Sequence, residues 1–417
     1  MSEHVLLVGR EEGLARRYRQ HRAGVTVSVM CRTEHVSRIG STGDCARVLA
    51  LPAQAGPEEW VCIARALHAI HPVTRIALFG EQDSDRAAAV GAALGVTTHS
   101  PDTVGWVQDK HAMRTRLRAT GLEDTPATLI ADRAMLRSFA AEHGLPLVVK
   151  PNGGVASVGV SVARSTEDLD ACFARAAAEQ DAFSSPGVLA ERFFEGPQFS
   201  IEGFSEDGEH VFVAIARKYS DPVTLSELGH VLPAPLSPAD SALIQRYARD
   251  VLDALGVRFG PTHTEFVLTQ QGPRIIETHL RLSSDTGPLV PGATGVDLIE
   301  MQIRQTMGEK VMPEIRRMLQ ESASTARYGA VWYANTDLCG QLVKLVGIEE
   351  SGSDSEVTVT PHVQPGARLD GLRSNYSRLA EARAFAPEPG QALTMARDAI
   401  RKLRVVVHAG PAEPDCF

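Results

Sequence analysis

Several features are missing from this sequence, and each absence removes a class of function. It has no CxxC pair and no zinc-type spacing. Its six cysteines (Cys31, Cys45, Cys62, Cys172, Cys339 and Cys416) are scattered through 417 residues. That pattern predicts a reduced, cytoplasmic protein rather than a disulfide scaffold. There is no excess of positive charge: the formal net charge is −9, which gives nucleic-acid binding no overall electrostatic support. No apolar run reaches the ~18 residues of a membrane span, so no membrane partner is expected. The apolar run at 5–8 follows the start almost directly, without a basic region and a long apolar stretch, so no signal peptide is expected. Gly9 follows that run, but GxGxxG is absent, and the Walker A order appears nowhere. A dinucleotide site in the first hundred residues is therefore not expected, and a wall that contacts substrate is.

What is present is an ordinary globular composition, 43% hydrophobic and 22% charged, in a chain long enough for two or three domains. Over residues 1–105, short apolar runs (4–8, 25–30, 75–79) alternate with helical patterns (12–21, 57–70, 86–94). That alternation predicts a small parallel α/β sheet. A helix is expected over 103–121, with Asp109-Lys110 near its start. A strand–helix–strand pattern follows at 127–150, then a helix at 166–179 and a strand at 188–194. The next strand, 198–204, carries Glu202, which is expected to face solvent. Residues 238–255 read as a helix. From 325 onward, strands at 329–333, 341–346, 357–362, 379–385 and 405–408, with a helix at 389–404, predict a C-terminal α+β unit. Residues 319–326 and 349–356 read as linker and exposed turn, and the last eight residues as a frayed tail. The fold class is thus α/β followed by α+β.

One stretch, 262–285 (THTEFVLTQQGPRIIETHLRLSSD), predicts a β-hairpin turning at Gln270-Gln271-Gly272-Pro273. Glu265 and Glu277 lie six residues either side of Gln271 and so pair, with Cβ atoms ~5 Å apart. Two like charges placed opposite each other repel, and a divalent cation with oxygen ligands would compensate them. Arg281 adds a fixed positive charge suited to a phosphoryl group. Two glutamates facing water on a surface hairpin would account for the hairpin equally well. Upstream, Lys150 leads from a strand into PNGGVASVGVSVA. The loop's backbone N–H groups could point at phosphate oxygens, although a Gly-rich hairpin turn is the simpler reading of that piece alone.

Taken in order, DK (Asp109, Lys110), VVKPNGGVASVGV, LAERFFEGPQFSIE and EF…GPRIIETHLR resemble the ATP-grasp superfamily, from Asp109 to Asp285 and loosely to about residue 310. The resemblance implies an ATP-grasp core over 106–310. A small ATP-binding subdomain would span 127–190 and a larger sheet with the metal site 191–310, between an N-terminal α/β domain (1–105) and a C-terminal α+β domain (325–417). It implies that Lys110 and Lys150 contact ATP phosphates and that the loop with Gly153, Gly154 and Ser157 closes over them. Glu191, Arg192 and Phe194 would meet adenine, Arg192 and Phe194 mostly through backbone. Glu265 and Glu277 match Mg²⁺ ligands, with Mn²⁺ as an alternative ion, and Arg281 matches the arginine that steadies the transferring phosphate. Gln198 stands where the family often has a ribose-binding Glu, which implies a weaker or shifted contact. His279 stands where it usually has Asn. Imidazole is a poorer Mg²⁺ ligand than oxygen, which puts His279 beside the metal set rather than in it.

Within the superfamily, ELGH…PA (227–234) resembles the bacterial L-amino acid ligases and related carboxylate–amine ligases of natural-product pathways. Glu227 and His230 match their substrate-site residues, and Glu227 is expected to recognise an α-amino group. Asp285 falls near the acceptor pocket, where some of these enzymes have a bulky aromatic. It leaves more room, or a charge for a cationic acceptor. Because Pro222, Gly229, Pro233 and Pro235 interrupt 219–236, that segment is expected to be a loop, neither regular helix nor central strand. The implied activity is ATP-dependent amide formation from small-molecule carboxylate and amine substrates, and a homodimer is compatible with it. A primary-metabolism ligase or carboxylase is the alternative enzyme, and a silent nucleotide-binding regulatory module the alternative class.

Overall fold

The computed structural model describes residues 3–179, 185–322, 327–351 and 356–408. HVLLV, buried at every position, forms β1 (His4–Val8). It pairs with β2 (Thr26–Arg32) and β4 (Arg75–Leu78), and β2 pairs with β3 (Arg47–Leu51), giving the all-parallel order β3-β2-β1-β4. Strands covered on both faces read as continuous apolar runs. Here Tyr18 seals one face, and Trp60, Ala64 and Leu67 the other. The sequence reading did not mark β3.

The single helix expected at 103–121 is two, Pro101–Gln108 and Lys110–Ala119. Asp109 between them is extended, and its carboxylate accepts from the Ala112 N–H at 2.7 Å. An aspartate cap satisfies an otherwise orphaned helix donor, so Lys110 opens a new helix instead of lying mid-helix in solvent. Next comes an antiparallel sheet of β5 (Ala127–Ile130), β6 (Leu147–Pro151), β7 (Ser161–Ala163) and β8 (Val188–Arg192), in the order β5-β8-β6-β7. Leu136, Phe139, Leu169 and Cys172, from helices Arg133–His143 and Leu169–Ala178, close its core.

The large sheet begins with β9 (Gln198–Glu206), β10 (Glu209–Ser220), β11 (Glu227–Leu232), β12 (Gly260–Thr269) and β13 (Gly272–His279). The chain then supplies β14 (Tyr328–Ala334), β15 (Cys339–Val346), β16 (Val357–Pro361), β17 (Arg368–Asp370), β18 (Ala380–Ala386) and β19 (Arg404–His408). Of these, β14, β16 and β18 continue the large sheet, in the order β13-β12-β9-β10-β11-β14-β18-β16, while β15, β17 and β19 form a small separate one. Helix Pro238–Ala254 covers one face of the large sheet through Ile244 and Val251 against Ile201, Ile215 and Phe266. Leu289, Val296, Met301 and Ile315 cover the other face against Phe204 and Val213.

Covering both faces corrects two expectations. Glu202, expected in solvent, is completely buried, because a polar residue alternating with Ile201 meets packed protein rather than water. The 219–236 segment contains a central strand, β11, between β10 and β14. Its breakers flank the strand, except Gly229, which lies under Trp332: a Cβ there would stand 2.3 Å from the indole and 2.5 Å from the Val331 carbonyl. Gly229 thus admits a close approach rather than breaking the strand. Gly229→Ala should cost about 1–3 kcal/mol through overpacking, read as a lower urea midpoint. An unchanged midpoint would show that the indole can yield.

Helix Met312–Ser322 extends into what was expected to be linker. The rest of that linker, half of the exposed turn at 349–356 (352–355) and the C-terminal tail lie outside the described residues, while the turn's first residues end a short helix, Ile348–Ser351. Among the described residues no helix is long and apolar enough to cross a membrane.

Candidate active site

The β12–β13 hairpin sets Glu265 opposite Glu277, though not by symmetry about Gln271: the turn is Gln270-Gln271, with Thr269 facing Gly272, and that register alone would set Glu265 opposite Ile276. A bulge follows at once: Phe266 pairs with Ile275, so Ile276 is the extra residue. The carboxylates do not face open water, since Glu265 is 8% exposed. Lys218 Nζ lies 2.5 Å from Glu265 and Lys110 Nζ 2.9 Å from Glu277. Burial by itself would raise both carboxyl groups. Lys218 next to Glu265, and Lys110 next to Glu277, hold them below the usual carboxylate range. Ligand atoms of Glu265, Glu277 and His279 lie within 4.8 Å of one another. Two ionised oxygen donors converging in this way fit a divalent cation of the Mg²⁺ kind.

Histidines brace this pair. His263 Nε2 is 3.1 Å from Glu265, and its Nδ1 is 2.7 Å from Glu202. Thr286 donates to Glu202 from the other side. Burial disfavours the imidazolium, but Glu202 and Glu265 raise His263 to about 10. His279 Nε2 is 3.3 Å from Glu277, while its Nδ1 is 2.6 Å from Glu81, in the loop after β4. Arg281 Nε also donates to Glu81, at 2.9 Å. The N-terminal domain therefore reaches the site through Glu81, which orients both His279 and Arg281.

Toward the Gly-rich loop, Lys110 Nζ donates to the Gly154 carbonyl at 2.7 Å, which ties helix Lys110–Ala119 to that loop. Lys150 Nζ pairs with Glu191 at 2.5 Å. Glu191 also takes Arg114 Nε at 2.9 Å, and Arg114 continues to Glu123 at 3.1 Å. Arg114 further donates to the carbonyl of the bulged Ile276, at 3.4 Å. Burial lowers Lys150, and Arg114 and Lys110 add to that against the pull of Glu191, so its ammonium sits below the ordinary lysine range. The buried Gly153 leads into Ala156 and Ser157, at φ 56° and 59°, a left-handed conformation uncommon outside glycine. Ser157 Oγ donates to the Leu225 carbonyl at 3.2 Å, and the Asn375 N–H to the Ala156 carbonyl at 3.0 Å. The loop thus rests on the turn before β11 and on the C-terminal unit. The Arg192 N–H donates to the Pro126 carbonyl at 3.1 Å, so only its other backbone group is left for an adenine contact. Phe194 lies under Arg274. Gln198 pairs in register with Lys218 on β10, and its side chain accepts from Ser220.

Beyond Lys218, Glu227 opens β11, and His230 lies on the same strand, almost fully buried. Glu227 Oε1 is 2.6 Å from Lys218, while its Oε2 accepts from Arg378 at 2.9 Å and Asn375 at 3.2 Å. Lys218 therefore bridges Glu227 and Glu265, joining this cluster to the hairpin pair. Burial works against its charge, yet the two carboxylates hold it above the ordinary lysine range. Asp285 is gripped in a bidentate pair by Arg378, at 2.9 and 3.0 Å. Its charge is already matched, which corrects the expectation that it stands open to a cationic acceptor.

Lys218, Arg378, Glu81, Arg114 and the Glu202–His263 pair escaped the sequence reading. Arg114, Glu202 and His263 stand in or beside the motif segments as single polar residues that no motif assigns, while Lys218, Arg378 and Glu81 lie outside those segments and are brought in by strand register or by contact between units. Only the period-2 position of Glu202, between Ile201 and Gly203 on a strand covered on both faces, could have hinted at a buried charge.

Residues 143–286 match the ATP-grasp domain, and residues 338–408 match the L-amino acid ligase C-terminal domain 2. An uncharacterised protein of Sinorhizobium fredii, y4rH, is 29% identical over 73% of this chain and 62% of its own length. The alanine–anticapsin ligase of Bacillus subtilis is 25% identical over 46% of this chain and 45% of its own. The chain thus spans less than two thirds of these curated relatives. An L-amino acid ligase from Bacillus licheniformis superposes with a TM-score of 0.79 at 19% identity, covering 98% of this chain and 99% of that one. The chain thus contains an ATP-grasp domain over 143–286, followed by a segment that matches an L-amino acid ligase C-terminal domain over 338–408.

Proposed function

We propose that the protein is an ADP-forming carboxylate–amine ligase of specialised metabolism that takes an amino acid as one substrate. One observation carries this reading. Lys218 joins the Glu265–Glu277 pair to the Glu227–His230 pocket, so a phosphoryl-transfer centre and a polar substrate pocket share one buried charge network. The alanine–anticapsin ligase and the C-terminal domain match add support from relatives.

In this reading a substrate carboxylate oxygen attacks the γ-phosphorus of ATP, and ADP leaves. The amine nitrogen of the second substrate then attacks the acyl carbon of the acyl phosphate, phosphate leaves, and the nitrogen loses a proton. Such chemistry asks the protein for positioning and charge neutralisation. Lys110 and Lys150 meet the phosphates, and Glu191, with Arg192 and Phe194, borders the base. Gln198 approaches the ribose. Arg281, oriented by Glu81, faces the transferring group. The 153–159 loop, closed against Leu225 and Asn375, excludes water that would hydrolyse the acyl phosphate. Glu265 and Glu277 would hold Mg²⁺, which when bound neutralises phosphate charge, with His279 steadying Glu277. Glu227, His230 and Asp285 line the pocket for the organic substrates.

The nucleotide product tests the mechanism. With a productive acid–amine pair, chromatography should find ADP and phosphate in equal amounts with the amide. AMP and pyrophosphate would rule out the acyl-phosphate route.

A further inference from the structure

Arg378 lies outside every motif of the sequence. It follows the short turn Asn375–Ser377 in the C-terminal unit and is 9% exposed. Its guanidinium carbon sits 3.5 Å from the centre of the Tyr333 ring, a cation–π stack that fixes the plane of the fork. Both terminal nitrogens clamp Asp285, one of them also reaches Glu227, and the buried Nε has no hydrogen-bond partner. His230 lies in the same cluster. Both its ring nitrogens are buried without a hydrogen-bond partner, Nε2 standing 3.4 Å from Glu227 and 3.5 Å from Asp285.

Two points about this cluster bear on what it binds. Glu227 already receives Lys218, Arg378 and Asn375. A carboxylate offers about four acceptor sites, so Glu227 has little left for a substrate ammonium, and its work is to position Lys218 and Arg378. A flat, stacked, desolvated guanidinium is also built for bidentate carboxylate binding, and Asp285 occupies it in that very geometry. The ion pairs run Glu265–Lys218–Glu227–Arg378–Asp285. Lys218 and Glu227 thus stand between Arg378 and the hairpin pair, which points Arg378 at a carboxylate other than the one that reacts there.

We propose that Arg378 binds a non-reacting substrate carboxylate, with Asp285 as the internal carboxylate that holds the fork until substrate displaces it. This rests on the ligase reading above. The carboxylate could belong to the amine substrate or to the far end of the acid substrate, and the test separates the two.

Amino-acid pairs are screened by phosphate release and mass spectrometry with the full chain. For a productive pair, the amine substrate is compared with its carboxamide, and an acid substrate carrying a second carboxylate with its ω-amide. The wild type should prefer the free carboxylate in one arm by tenfold or more, through KM. Arg378→Gln should erase that preference, raising KM for the carboxylate form 10- to 100-fold while leaving KM for the amide form and for ATP within twofold. Arg378→Lys should fall between. Because Arg378→Gln takes the bidentate partner from Asp285, while Glu227 keeps Lys218 and Asn375, the double variant Arg378→Gln/Asp285→Asn serves as the folded control and should show the same loss of preference. Ligation with no carboxylate preference in either arm, or equal losses for both forms, overturns the assignment alone. A wild type that releases no phosphate with any pair overturns the ligase reading and the assignment together.

Discussion

Glu277→Gln should lower turnover by roughly 10²–10³-fold or more, the scale seen when one electrostatic contact to the reacting group is lost, while leaving the fold intact. The substitution keeps the size of the side chain and removes its charge. An amide is a weaker Mg²⁺ ligand than a carboxylate. Glu277 also anchors Lys110 at 2.9 Å and His279 at 3.3 Å, so two kinds of loss have to be told apart. If Glu277 holds the metal, residual activity in the variant will climb with Mg²⁺ far beyond the concentration that saturates the wild type. If it only anchors Lys110, Lys110→Met will reproduce the loss and Mg²⁺ dependence will not move. In Glu277→Gln, Lys110 keeps the Gly154 carbonyl but loses its carboxylate, so the melting temperature should fall while unfolding stays a single cooperative transition. Turnover equal to wild type at low Mg²⁺ would take Glu277 out of the metal set.

That experiment concerns a pair of residues that could be read in advance. The Glu265–Glu277 pairing was expected from symmetry about Gln271, but the Gln270-Gln271 turn alone would set Glu265 opposite Ile276, and the bulge at Ile276, which no turn residue signals, supplies the missing step. The parallel N-terminal sheet was legible because buried strands show as apolar runs. Lys218 was not legible: on β10 it is one polar residue in a strand with covered faces, and its importance comes from sitting between Glu227 and Glu265 across the sheet. Arg378 stands 93 positions from Asp285, and only the addition of β14, β18 and β16 to the large sheet carries it there. Breaker counting failed at β11. A glycine that admits Trp332 looks, in one sequence, the same as a glycine that ends a strand. Asp109 shows the same ambiguity at a helix, since its carboxylate can cap a new helix as readily as face solvent in an old one.

The second large effect is on stability. Glu191→Gln should lower the unfolding free energy by about 3 kcal/mol at pH 7, and the gap from wild type should close as the solution is acidified. Glu191 is 4% exposed and takes both Lys150 and Arg114. Burial alone would raise its pKa, but Arg114 and Lys150 outweigh that and hold it down from 4.5 to about 2. The difference is about 2.5, and each step of one is worth ~1.36 kcal/mol, which gives about 3. Breaking a buried pair usually costs about 3–5 kcal/mol. The lower end is expected here because Arg114 keeps Glu123. The sign follows from the lowered pKa: the native state stays deprotonated where the unfolded chain binds a proton. The contribution is therefore fully present above about 4.5 and fades as pH falls toward 2. Urea unfolding of both proteins at pH 7 and at pH 4 measures it, with the smaller gap expected at pH 4. A gap that stays constant over that interval would mean the carboxylate stabilises by shape and hydrogen bonding, with the charge of Lys150 and Arg114 balanced elsewhere.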